Sequence, residues 1–271
     1  MPKQHKRSLR GRIRLSLVII VAVVLMVMGV SAIRDADWID ASFSWAQRDK
    51  TAKKGRASKS ATKNKQTTPA VNRVLLDVPL VNQMTAPRLY NGCEITSLTM
   101  MMNYYGINVS KNTLADRLTS VPLTYDNGQR GNPNVGFVGD VTGANPGLGV
   151  YHTPIYKVAK TETSQVKDLS GASFKQVVKQ LEAGRPVWTV TTTSFAPVNT
   201  METWDTPQGD VKVTYDVHSV VIVGFDRKQK KIYVNNPYGQ KQQAVDWDNF
   251  VGAYNQMGQQ AIVLTLNHNS K

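Results

Sequence analysis

A thiol, an imidazole and a few side-chain amides are the groups of this chain whose types and spacing could cleave an acyl bond. The chain has a single cysteine, Cys93. It lies in Asn91-Gly92-Cys93-Glu94, after a glycine turn and at the head of an apolar-periodic run. A cysteine at a helix N-terminus feels the positive end of the macrodipole and unpaired backbone N–H groups, which favour thiolate over thiol. The competing reading is a small buried hydrophobe. A thiol nucleophile needs a base within hydrogen-bond reach and a third group to orient that base. Of the four histidines, His5 falls in a basic N-terminal flank and His268 in a polar tail, which leaves His152 and His218.

His218 opens the run Ser219–Phe225, where a strand end would hold an imidazole rigidly. Asn235 and Asn236 close the next strand, across a turn at Asp226–Lys230. In such a hairpin either amide oxygen could accept from the imidazole. The plainer readings are a strand-end histidine satisfied by its surroundings and asparagines that serve turn chemistry before Pro237. His152, in Gly149-Val150-Tyr151-His152, is expected to border a substrate cleft or to pack rather than to act as a base. Gln83 follows the first strand, ten residues before Cys93. A side-chain amide beside a helix N-terminus can donate to a developing oxyanion together with the Cys93 N–H.

These groups need elements to position them. Apolar residues at 95, 98, 101, 102 and 105 predict a helix over Cys93–Tyr105 with one buried face, stopped by Gly106. A short strand is expected at Arg73–Val78, a second helix at Ser110–Leu118 capped by Ser110, and helical structure near Thr153–Lys160. The stretch Ser120–Val150 is rich in Gly, Asn and Pro and reads as a long loop that packs on the body. A helix at Ser173–Ala183 ends at Gly184. Strands are expected at Pro186–Thr193, Val211–Val217, Ser219–Phe225, Lys231–Val234 and Ala261–Leu266, with a helix around Asp246–Met257 before the last. Helices first and strands afterwards is an α+β plan.

Charge and hydropathy place this domain. Residues 1–14 are basic, and Leu15–Ile33 is 19 residues without a charge, close to the ~20 needed to span a bilayer. The basic flank should stay in the cytoplasm, so the rest of the chain is expected outside. A cleaved signal sequence is the rival reading, with Val30-Ser31-Ala32 as the cleavage region. The net charge of +14 invites a nucleic-acid partner, but its distribution argues against one. Residues 1–70 hold 15 Lys/Arg against 4 Asp, whereas the remainder holds 18 Lys/Arg against 15 Asp/Glu. Residues 34–70 read as a flexible basic linker, a solvated spacer or a tether that rests on anionic lipid or cell-wall polymer. Residues 71–267 suffice for one core. One cysteine allows no intramolecular disulfide, and an unpaired one in an exported chain flags a reactive thiol. No Cys/His cluster has zinc-ligand spacing, so no metal or organic cofactor is expected.

The order VPLVNQ, NGCEITSLTMMMNYYG, NPNVGFVGD, GVYHTPI, HSVVIVGFD, VNNPYG and FVGAYNQMGQQAIVL resembles an exported bacterial family. It is that of the C-39-like cysteine peptidases, related to double-glycine leader peptidases, and the resemblance covers Val74–Leu264. It implies a papain-like fold, with Cys93 as nucleophile, His218 as general base and Gln83 as oxyanion donor. The third position, usually Asp in such enzymes, falls on Asn236 here, which lacks the charge that would stabilise an imidazolium. The function implied is hydrolysis of peptide bonds in a peptide or protein substrate, at the membrane and outside the cytoplasm. Two alternatives stand: a non-catalytic surface binding module that keeps the papain-like cleft, and a peptidoglycan endopeptidase or amidase.

Overall fold

The computed structural model describes residues 71–267. The expected flank 1–14, anchor 15–33 and linker 34–70 lie outside the described residues, as does His268. In chain order the elements are β1 (Arg73–Leu75), α1 (Cys93–Tyr104), α2 (Lys111–Ala115), β2 (Ser120–Val121), β3 (Phe137–Gly139), β4 (Gly147–Gly149) and α3 (His152–Glu162). They continue as β5 (Val166–Asp168), α4 (Phe174–Glu182), β6 (Val187–Thr192), β7 (Glu202–Trp204) and β8 (Val211–Val213). The last are β9 (Val217–Asp226), β10 (Lys231–Asn236), β11 (Gln240–Asp246), α5 (Trp247–Gln256) and β12 (Ala261–Leu264). Among the described residues no helix is long and apolar enough to cross a membrane.

The architecture is mixed α/β around one antiparallel sheet of order β11-β10-β9-β6-β12-β5, with β1 added to β9. Successive side chains on a strand point to opposite faces, and the core follows that rule. Trp188, Val190, Ile262 and Leu264 join Ile95, Leu98 and Met101 of α1 and Ile155 and Val158 of α3 in one cluster. Val187, Val220, Ile222, Ala261 and Val263 join Phe174 and Val177 of α4 and Phe250 and Tyr254 of α5 in another. Each helix pair therefore covers one face of the sheet.

Several expected boundaries shift for identifiable reasons. The expected strand Val211–Val217 breaks after Val213, because the Thr214 hydroxyl and carbonyl accept from the Asp216 and Val217 amides at 3.1 and 3.2 Å. His218 is thus the second residue of a ten-residue strand, not a residue ahead of one. Ser110 caps α2 by accepting from the Thr113 amide at 3.0 Å, but the helix stops at Ala115. Ser173 occupies the N-cap of α4 without a side-chain bond. The 120–150 segment, expected as a loop, builds a small sheet β2-β3-β4. The short strand β5 and the polar edge strand β11 carry no clean alternation that would announce them. Helix α1 departs most: of its residues only Asn103 escapes burial, so it is enclosed on all sides rather than along one face.

Candidate active site

Cys93 is the first residue of α1, and Gly92 is the N-cap. A Cβ on Gly92 would lie 2.6 Å from the Leu89 Cβ, so the loop can close onto the helix start only with glycine there. The thiol is buried, with Sγ donating to Glu94 Oε2 at 3.2 Å. Burial, then the Glu94 charge and its hydrogen bond, push the thiol well above its ordinary pKa; the Ser219 backbone N–H facing the sulfur opposes that shift. The lowering expected from the helix N-terminus is therefore outweighed in the resting molecule. Ser219 follows His218 on β9, and Ser97 Oγ one turn along α1 donates to the Ser219 carbonyl at 3.1 Å. The helix start and the His218 strand are thus fastened together at the thiol.

His218 is buried, with Nε2 3.1 Å from Asn236 Oδ1. That oxygen also accepts from the Tyr238 backbone N–H at 3.1 Å, while Asn236 Nδ2 donates to Gln243 Oε1 at 2.9 Å. An atom that receives a backbone N–H is an acceptor, so the proton of the imidazole sits on Nε2 and Nδ1 keeps a free lone pair. Tyr238 stacks on the ring, centroids 5.1 Å apart and planes 14° from parallel. Burial drives the His218 pKa down to about 4, against an opposing contribution from the Asn236 hydrogen bond. Asn235 points elsewhere: it donates to the Val78 carbonyl and accepts from the Gln242 amide, each at 2.9 Å. The pairing of β10 with β11 slips between Val234 and Asn236. Asn236 is the amide at the imidazole, and Asn235 staples the neighbouring strands.

Gln83 is fully buried. Its backbone N–H donates to the Pro237 carbonyl at 2.8 Å and its carbonyl accepts from the Leu89 amide at 3.0 Å. Its side chain donates from Nε2 to the Tyr90 carbonyl at 2.8 Å, leaving one amide hydrogen uncommitted by that bond. Loop 83–92 thereby ties the helix start to the turn that follows Asn236. Cys93, His218, Asn236 and Gln83 are connected through four adjoining segments of backbone.

Comparison with known proteins places the domain in a family. The family described as Peptidase_C39 like matches residues 75–262. The uncharacterized protein YvpB of Bacillus subtilis strain 168 is 54% identical over 190 residues, 70% of this chain and 75% of that protein. A crystal structure assigned to a C39-like peptidase from Bacillus anthracis is 40% identical, covers 73% of this chain and 99% of its own, and superposes with a TM-score of 0.68. The chain belongs to the C39-like peptidase family.

Within this C39-like domain His152 stands apart from the four residues above. It begins α3, with Nδ1 2.8 Å from Asp168 Oδ2 of β5 and its backbone N–H on Gln260 Oε1 at 2.9 Å. Strand β5 is at the opposite edge of the sheet from β10 and β11, so His152 packs at the sheet edge. A cavity of about 550 Å³ lined by Asn82, Thr85, Pro87 and Lys111 contains none of Cys93, His218 and Asn236. Three site residues escaped the sequence reading. Glu94 reads as an ordinary acid in a first helical turn, Tyr238 as a turn residue, and Gln243 as a polar edge residue. For Glu94 the available signal was its adjacency to the only cysteine.

Proposed function

We propose that residues 71–267 are an extracytoplasmic cysteine peptidase of papain-like fold, held at the membrane by residues 15–33. The observation that carries the chemistry is the fixed imidazole: Asn236 holds Nε2–H of His218 at 3.1 Å, while the next residue, Ser219, meets the Cys93 sulfur. Family membership supports the same reaction class. His218 Nδ1 takes the thiol proton as Sγ attacks the substrate carbonyl carbon. The oxyanion receives the Cys93 N–H, in the first turn where helical N–H groups have no intrahelical acceptor, and the free Nε2–H of Gln83. The imidazolium then protonates the leaving amine, and water, activated by the neutral imidazole, releases the acyl group. Exposed Tyr90 and Tyr238 border the approach to the thiol and offer apolar surface to a peptide.

The direct test uses full-length protein in membranes, a fluorogenic peptide library and cross-linked muropeptides. Wild type should cleave peptides, Cys93→Ala should not, and protease added outside intact cells should remove the domain. A second reading, a non-catalytic binding module, is favoured by one observation: the resting Cys93 Sγ–H is held by Glu94, with the thiol pushed up and the imidazole pushed down. In that case the thiol would alkylate no faster than a free cysteine of pKa ~8.5 at every pH.

A further inference from the structure

Glu94 is a buried carboxylate beside the thiol to which the reaction above gives no task. Its side chain is fully enclosed. Oε1 accepts from the Val150 backbone N–H at 2.9 Å, and Oε2 accepts from Cys93 Sγ–H at 3.2 Å. The chain wraps this carboxylate closely: a Cβ on Gly149, whose φ is +143°, would lie 2.5 Å from Oε1 and 3.5 Å from Val217 Cγ1. The Glu94 carbonyl is held by Trp188 Nε1 of β6 at 2.9 Å, which fixes the backbone from which the side chain projects.

The titratable groups around it are few. Cys93 faces it from α1, Tyr151 from the start of α3, and Tyr238 from the β10–β11 turn, with Tyr90 beside Tyr238 and His218 stacked on the far side against Tyr238. Among the described residues Glu94 makes no ion pair. Because Oε1 is committed as an acceptor, a proton on this carboxyl resides on Oε2, facing the sulfur.

We propose that Glu94 is a positioning residue that sets the protonation state of Cys93. Ionised, it accepts Sγ–H and keeps a thiol; neutral, it turns Oε2–H to the sulfur and stabilises the thiolate. The inference rests on the reading of Cys93 as nucleophile. The proton balance is closed: solvent takes the thiol proton and supplies the one on Oε2, so thiolate–carboxylic acid and thiol–carboxylate hold the same number of protons. Burial lifts the Glu94 pKa to about 7, so the neutral, activating form prevails on the acid side of neutrality. The two groups then titrate as one coupled pair.

The test is the pH profile of Cys93 alkylation by iodoacetamide in the full-length protein. In wild type the rate should climb to about pH 7 and then level off, because each thiolate formed above that pH competes with ionisation of Glu94. Glu94→Gln keeps the acceptor for Val150 N–H and puts an amide N–H against the sulfur. Its rate should keep rising, about tenfold above wild type at pH 8, since one pH unit is tenfold. Superimposable profiles would overturn the proposal. Should Glu94→Gln not fold, wild type carrying ¹³C-labelled glutamate carboxyls serves instead. One signal should titrate near neutrality and move up when Cys93 is alkylated; no such signal would refute the inference. His218→Ala separates the two readings. If it leaves alkylation unchanged while Glu94→Gln alters it, the assigned base fails and Glu94 stands; the reverse pattern keeps the base and rejects Glu94.

Discussion

Two histidines of this domain each hold a side-chain oxygen, and only one has the surroundings of a reaction centre. His152 and Asp168 approach to 2.8 Å with about a quarter and a third of their side chains exposed. His218 and Asn236 approach to 3.1 Å, both buried, with a thiol, a stacked tyrosine and a buried glutamine in adjoining segments. By partner alone, the carboxylate pair is the stronger interaction. What distinguishes His218 is that it is buried on the strand whose next residue, Ser219, meets the Cys93 sulfur, whereas His152 serves to join α3 to β5. A histidine–carboxylate pair is therefore a poor marker of a candidate site, and burial beside a thiol-bearing helix is a better one.

The comparison can be broken most forcefully by removing each ring. His218→Ala should lower peptide hydrolysis by about 10²–10⁴-fold, the usual contribution of a general acid–base group, while His152→Ala should leave it within about twofold. Equal losses in initial rates would erase the distinction.

Protonation offers the next largest contrast. His218 has a folded pKa near 4, below the ordinary 6.5, so the stability it supports is full above about 6.5 and is lost as pH falls toward 4. Glu94 is raised from 4.5 to about 7, so its contribution is full below about 4.5 and is lost as pH rises through 7. Each amounts to roughly 3 kcal/mol at 1.36 kcal/mol per unit, and the two offset each other in wild type. Urea titrations should show Glu94→Gln losing about 3 kcal/mol from pH 6.5 to 4, and His218→Gln losing a similar amount from pH 4.5 to 7. Parallel pH profiles for the two variants would contradict the assigned shifts.

Smaller effects sharpen the roles of the partners. Asn236→Ala leaves a buried imidazole N–H unpaired, a cost of about 1–3 kcal/mol, and should slow hydrolysis about tenfold to hundredfold with little change in KM. Replacing His152 should cost less than about 1 kcal/mol, as expected of a partly exposed pair. Asp168 is held below the usual carboxylate range: its partial burial, which opposes this, is outweighed by donors from Ser170 and His152. That small contribution should be full above about pH 4 and vanish as pH falls below it, measurable as convergence of the His152→Ala and wild-type melting temperatures in acid.

The parts of the site legible in the sequence are those that local pattern determines. The periodicity after Gly92 set the helix that carries Cys93, and a short turn at 227–230 set the hairpin that brings His218 to the asparagine pair. The family resemblance pointed to Asn236, but residue pattern alone left Asn235 and Asn236 open, because the register slip after Val234 is one that no alternation of residue types reveals. The burial of α1 on every side was hidden because Thr96, Ser97 and Thr99 look like surface residues; Ser97 is satisfied instead by β9 and Thr99 by its own helix, at the Ile95 carbonyl. For Glu94 only its adjacency to Cys93 was legible, since its acceptor role depends on Val150, 56 residues away. Strands β5 and β11 carry charge and glutamine because they lie at sheet edges, where the pattern that marks a buried strand is absent.

The central claim is that Cys93 is a nucleophile served by His218. Labelling the full-length protein with a thiol-directed peptidyl probe, and mapping the adduct by mass spectrometry, tests it most directly. The account predicts an adduct on Cys93 in wild type, none in Cys93→Ala, and strongly slowed labelling in His218→Ala with the fold intact. Labelling of His218→Ala at the wild-type rate would contradict it.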